Sequence, residues 1–181
     1  MQNNNSDFDK IYRENYNHVF RFMLSISKNH HLSEEIVQNT FVKAYESFDS
    51  IRDKSKISLW LIKAAYNLFI DKKRRKSSQQ QLFASNEILD TSIIELTSCP
   101  LRKAEQNFMS TCVQEKLSLL PENYRAPLFL NMNGYSNLEI AEILGCSLAN
   151  AKIRLHRARK KLRGILGQDC HFYYDERSVL C

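Results

Sequence analysis

Glycine and proline are scarce in this chain, with 4 Gly and 3 Pro among 181 residues. A turn-rich all-β fold needs many more of both, so their shortage points to helices. No apolar run approaches the roughly 20 residues of a membrane-spanning helix. The N-terminus, MQNNNSDFDK, lacks the basic-then-apolar order of a secretion signal. The five cysteines, Cys99, Cys112, Cys146, Cys170 and Cys181, are odd in number and show no disulfide framework. A cytoplasmic chain with reduced thiols and no membrane insertion is therefore expected. Gly-rich phosphate loops, nucleophile elbows and spaced metal ligands are also missing, so no catalysis, metal or cofactor is expected.

What the chain does have is apolar residues and positive charge. Hydrophobic residues make up 43% of it, enough for packed cores, and the formal net charge is +6. The charge is clustered. One cluster is Lys72-Lys73-Arg74-Arg75-Lys76, another runs from Lys152 to Arg163, and no Asp or Glu stands between Glu142 and Asp169. Such stretches are either solvated faces or the footprint of a polyanion.

Apolar spacing divides the chain. A helix is expected from about Phe8 to His31, then a second with Ser33 as N-cap and Val37, Phe41, Ala44 and Phe48 on one buried face. A polar loop spans Asp49 to Ser58, and a third helix runs from Leu59 to about Lys76. Periodicity then fades through the polar Ser77-Ser78-Gln79-Gln80-Gln81, so 77–100 reads as a flexible linker able to reach roughly 70–80 Å. Further helices are expected over Leu101–Leu119, ended by Pro121, and over Glu122–Asn131.

Ser136 to Leu166 reads as a helix–turn–helix. Ser136 and Glu139 have capping-box spacing, and Gly145 stands where the chain must turn. Leu138, Ala141 and Leu144 supply one buried stripe. Ser147 caps the second helix, whose core face is Ala151, Leu155, Ala158 and Leu162. The opposite face carries Asn150, Ile153, Arg154, Arg157 and Lys160. A helix fits the DNA major groove, where Asn and Arg side chains can read adenine and guanine edges. Arg159, Lys160, Lys161 and Arg163 are better placed for phosphates.

Two stretches together resemble the extracytoplasmic-function group of bacterial RNA polymerase sigma factors. SEEIVQNTFVKAYESFDSIRDKSKISLWLIKAAYNLFIDKKRRK is similar to the group's acidic pair, Gln, Ala-Tyr, Trp-Leu, Asn and Asp-x-x-Arg-Arg pattern. LSLLPENYRAPLFLNMNGYSNLEIAEILGCSLANAKIRLHRARKKLR is similar to its Leu-Pro-Glu-x-x-Arg, Glu-Ile-Ala and Leu-His-Arg-Ala-Arg pattern. The resemblance implies an all-α protein of two small helical modules: 8–76 for core polymerase and the −10 element, 101–167 for the −35 element. The linker 77–100 joins them and a Cys-containing tail, 168–181, follows.

By the same resemblance, Glu35, Gln38 and Phe41 contact core RNA polymerase. Asp49, Ser50, Arg52, Trp60 and Asn67 border an unpaired base of the −10 element, with Lys72, Arg74 and Arg75 on nearby phosphates. Asn150, Ile153, Arg154, Arg157, Arg159 and Lys160 contact the −35 element. The implied partners are core polymerase, promoter DNA and an anti-sigma factor. The chain departs from the group's pattern at Glu35, where Asp is common, at Ile51 and Ile57, where aromatics are, and at Ala151 and Ile153 in the recognition helix. A stand-alone helix–turn–helix regulator, binding an operator as a dimer, would account for the second module but not the first. Cys170, His171 and Cys181 lack a structural-zinc spacing, and a short aromatic tail that packs on the second module or on a partner is expected instead.

Overall fold

The computed structural model describes residues 2–48, 53–80 and 116–169, and every regular element among them is helical. In chain order these are α1 (Gln2–Ser27), α2 (His30–Glu46), α3 (Ile57–Gln80), α4 (Glu122–Met132), α5 (Asn137–Leu144) and α6 (Leu148–Asp169). Most of the linker 77–100, residues 101–115 of the helix expected over Leu101–Leu119, the loop residues 49–52 and the tail from 170 lie outside the described residues, while 116–118 are helical.

The first turn forms earlier than its spacing suggests. α1 ends at Ser27, Lys28 takes a left-handed φ of 57°, and Asn29 caps α2 by accepting a bond from the Leu32 N–H at 2.8 Å. Ser33, expected as the cap, is instead fully buried within α2, where its hydroxyl donates to the Asn29 carbonyl at 2.7 Å. Asn and Ser cap equally well, so the choice between them falls to the turn geometry. A single 3₁₀ turn, Lys54–Lys56, leads into α3, which continues to Gln80, past its expected end at Lys76.

The helix–turn–helix follows its sequence signals closely. Ser136 Oγ accepts from the Glu139 N–H at 3.3 Å, and Glu139 Oε2 accepts from the Ser136 N–H at 2.8 Å. Gly145 turns the chain at φ 61°, and Ser147 Oγ caps α6 through the Asn150 N–H at 3.2 Å. Leu138 is the exception. The buried arc of α5 runs through Ile140, Ala141, Ile143 and Leu144, which leaves Leu138 outward at 68% exposure.

Burial ties these elements together. Val19, Phe22, Met23 and Ile26 of α1 meet Ile36, Val37, Phe41 and Ala44 of α2 and Leu61, Ile62 and Ala65 of α3. Each large apolar side chain removed from water contributes about 1.5–3 kcal/mol. The same core continues into Ala126 and Leu130 of α4, Ile140, Ala141, Ile143 and Leu144 of α5, and Ala151 of α6. The two modules, separable in sequence, thus share one core among the described residues. A smaller core of Leu120, Leu128, Leu155 and Ala158 braces α4 against α6.

Polar contacts cross the same boundary. Arg125 of α4, 8% exposed, donates from Nη2 to the Ile26 carbonyl of α1 at 3.0 Å. Its Nε and Nη1 find no acceptor among the described residues, so this buried cation costs desolvation as well as making a bond.

Candidate nucleic-acid interface

Helix α6 turns Ala151, Leu155 and Ala158 inward, and this fixes what faces out. Asn150, Ile153, Arg157 and Lys160 are exposed along the opposite side, and Arg154 is half-buried. Ile153 is 50% exposed, an apolar side chain of the size that meets a thymine methyl. Arg154 donates from Nε to Asn150 Oδ1 at 3.0 Å, so these two form one unit at the helix start. Arg159 reaches sideways instead and donates to Asn131 Oδ1 of α4 at 2.7 Å. Lys161 stands 5.8 Å over the Tyr124 ring. The outward face is therefore amide and apolar at its start and cationic further on, the order in which base edges and then phosphates are met.

Helix α3 carries the second candidate surface. Trp60, Asn67 and Arg74 fall seven residues apart, which places them along one side of the helix. Trp60 is half-buried and packs on the main core, while Asn67, Arg74 and Arg75 are exposed. Lys72, expected on a phosphate, forms an ion pair with Glu35 of α2, itself expected on the polymerase. Asp49, Ser50 and Arg52 lie outside the described residues. Asp53, just after them, accepts from the Ser55 N–H at 3.0 Å, and that bond with the Ser55 hydroxyl holds its carboxyl below the ordinary range.

The outward side of α2 holds Glu35, Gln38, Val42 and Tyr45, spaced three or four residues apart. Val42 is 56% and Tyr45 57% exposed, and the sequence reading missed both. Phe41 stands elsewhere than expected: it is 4% exposed, packed against the rings of Tyr12 and Tyr16. Its membership of the buried series Val37, Phe41, Ala44 and Phe48 was the available signal, because one side chain cannot occupy both faces.

Burial pushes the Tyr66 hydroxyl of α3 above its ordinary value, Glu122 adds to that rise and Arg154 opposes it. Tyr66 therefore feels charges from both Glu122 of α4 and Arg154 of α6. No three His, Cys, Asp or Glu side chains gather as metal ligands among the described residues, and Cys170, His171 and Cys181 lie outside them. No described helix is long and apolar enough to cross a membrane.

Comparison with known proteins places both halves. Residues 11–79 match the family Sigma-70 region 2, and residues 110–162 match Sigma-70, region 4. The ECF RNA polymerase sigma factor SigM of Bacillus subtilis is 33% identical over 158 residues, covering 87% of this chain and 93% of that protein. SigW of the same organism is 31% identical over 166 residues, covering 87% and 86%. The sigma factor RpoE from Bartonella quintana, solved in complex with the anti-sigma factor NepR, superposes with a TM-score of 0.73 at 26% identity, covering 90% of this chain and 98% of that one.

Proposed function

The chain belongs to the sigma-70 family of RNA polymerase sigma factors, in its extracytoplasmic-function group, and from that premise we propose how its surfaces divide the work of initiation. As a sigma factor it binds core RNA polymerase and directs promoter recognition and transcription initiation. The outward side of α2, with Glu35, Gln38, Val42 and Tyr45, docks on the polymerase. The α3 side with Trp60, Asn67, Arg74 and Arg75 takes the unpaired −10 strand, where an extruded base can lie beside an aromatic ring. Lys72 joins it once released from Glu35. The α6 face reads the −35 duplex through Asn150, Ile153, Arg154 and Arg157, with Lys160 on phosphates and Arg159 joining it once released from Asn131. The module bounds are 8–76 and 101–167. The chain acts in the cytoplasm, catalyses nothing itself and is held by an anti-sigma factor, as the Bartonella neighbour is.

One observation carries this reading: a single chain holds both a groove-sized helix with a one-sided basic face and a second helix with its own exposed basic residues. A stand-alone operator binder has no use for the second. Run-off transcription and footprinting with and without core polymerase test the assignment. The chain alone binds DNA weakly and with strong salt dependence, and core enzyme adds tight, promoter-specific binding and transcripts. Gln38→Ala with Val42→Asp removes that gain and leaves the weak binding, because both side chains are exposed and outside the core. Tight operator binding by the chain alone, with no transcripts when core is added, would establish the regulator reading instead.

A further inference from the structure

Two lysines of α3 are engaged by the other module. Lys63 Nζ lies 2.9 Å from Glu142 Oε1 of α5, and Lys73 Nζ lies 2.6 Å from Glu122 Oε2 of α4. Both carboxylates come from the C-terminal module and both cations from the helix assigned above to the −10 strand. Lys63 and Lys73 bracket Asn67 along that helix. They stand about 15 Å apart at 1.5 Å of rise per residue, a span that several nucleotides of extended single strand would follow.

The pairs are poor fasteners. Side-chain exposures of 41% and 52% for Lys63 and Glu142, and 59% and 26% for Lys73 and Glu122, leave them open to water. Exposed ion pairs add little to stability and are screened by salt. The shared apolar core and the buried Arg125 contact hold the modules together without them. What such pairs do well is exchange: a phosphate diester offers a lysine the same single negative charge and the same kind of acceptor oxygen as a carboxylate.

We propose that Glu142 and Glu122 are internal stand-ins for backbone phosphates, occupying Lys63 and Lys73 in the closed chain, and that these lysines bind the single-stranded −10 phosphates once the C-terminal module moves away. The proposal rests on the assignment of α3 as the −10 surface. It adds two phosphate contacts to that surface and a device that withholds them until the modules separate. Glu142 is suited to the part by position, being the last acidic residue before the basic recognition helix.

The test is anisotropy titration of the full chain with a short, labelled single-stranded DNA oligonucleotide, at salt between about 50 and 200 mM. Glu122→Gln with Glu142→Gln is expected to bind more tightly. Its slope of log affinity against log salt should steepen by about 0.7 for each phosphate gained, hence ~1.4 for two. Adding Lys63→Ala and Lys73→Ala to that background returns the slope to the wild-type value. Glu14→Gln with Glu46→Gln, which neutralises two exposed carboxylates of α1 and α2, leaves the slope unchanged and excludes a general charge effect. Circular dichroism checks that each variant stays folded. If the double Gln variant binds as wild type while Arg74→Ala with Arg75→Ala weakens binding, the gate is wrong and the α3 surface stands. If the Arg variant is also without effect, the α3 assignment fails and takes the gate with it.

Discussion

His18 Nε2 lies 3.1 Å from Tyr135 Oη, a contact between residues 117 apart that ties α1 to the turn preceding the helix–turn–helix. The two rings stack with centroids 5.9 Å apart and planes 15° from parallel. Tyr135 Oη also sits 3.4 Å from the Ser58 hydroxyl, so one phenol joins the C-terminal module to both α1 and α3. Phe129 of α4 also lies near the imidazole, its ring centroid 6.4 Å away and its plane tilted by 35°.

This contact predicts a pH dependence. Burial lowers the His18 pKa from its ordinary value, and the nearby Arg21 cation lowers it further. The folded chain thus favours the neutral ring and binds fewer protons here than the unfolded chain. The stability that comes from this histidine is complete above the unfolded value of about 6.5 and is lost as pH falls through that value toward the lowered one. Urea midpoints measured between pH 8 and pH 5 should drop more steeply for the wild type than for His18→Gln. Parallel profiles for the two proteins would show that protonation of His18 is not coupled to the closed form.

The glycine of the recognition turn and a glycine inside α6 should respond in opposite directions to the same substitution. Gly145 has φ 61°, and nothing lies within 4 Å of a Cβ added there, so the cost of Gly145→Ala is conformational alone. An L-residue pays roughly 1–2 kcal/mol in the left-handed region. Gly164 lies inside α6, again with nothing within 4 Å of an added Cβ. Gly164→Ala should therefore stabilise the chain by about 0.4–1 kcal/mol through a less disordered unfolded state. Denaturant unfolding of both variants decides the matter, and a destabilising Gly164→Ala would mean that α6 does not run straight through this position.

The contrast between such local features and the His18 contact shows what a sequence can reveal. Ser136 with Glu139, Gly145 and Ser147 are legible because each cap or turn is completed within three or four residues. The α2 start was harder: Asn29 and Ser33 are both competent caps, and only the left-handed Lys28 before Asn29 separates them. Leu138 was misplaced because i, i+3 spacing from Ala141 fits two different arcs of a short helix. The shared core was not legible at all. Pairs such as Arg125 with Ile26 and Lys63 with Glu142 join residues 99 and 79 apart, and no periodicity marks them. The candidate surfaces were largely readable as the complement of the buried stripes, which is also why Val42 and Tyr45 replace Phe41 on the outward side of α2.

The recognition helix permits a test that separates reading from gripping. Arg157 is exposed on the outward side of α6, one turn beyond the Asn150–Arg154 unit, while Lys160 lies further along the same face. A guanidinium paired with a guanine edge makes two hydrogen bonds that no other base pair can satisfy, so its removal is felt only on the preferred sequence. An ammonium on a phosphate meets the same partner on every sequence. Arg157→Ala should then cost about 1–3 kcal/mol on the preferred −35 duplex and little on duplexes already changed at the base pair it reads, which flattens discrimination there. Lys160→Ala should weaken all duplexes by the same factor and reduce the salt slope by about 0.9. The measurement is competition binding of polymerase-bound chain against −35 duplexes that differ at single base pairs. If Arg157→Ala lowers every affinity equally, Arg157 is a phosphate contact, and base reading at this face rests on Asn150, Ile153 and Arg154 alone.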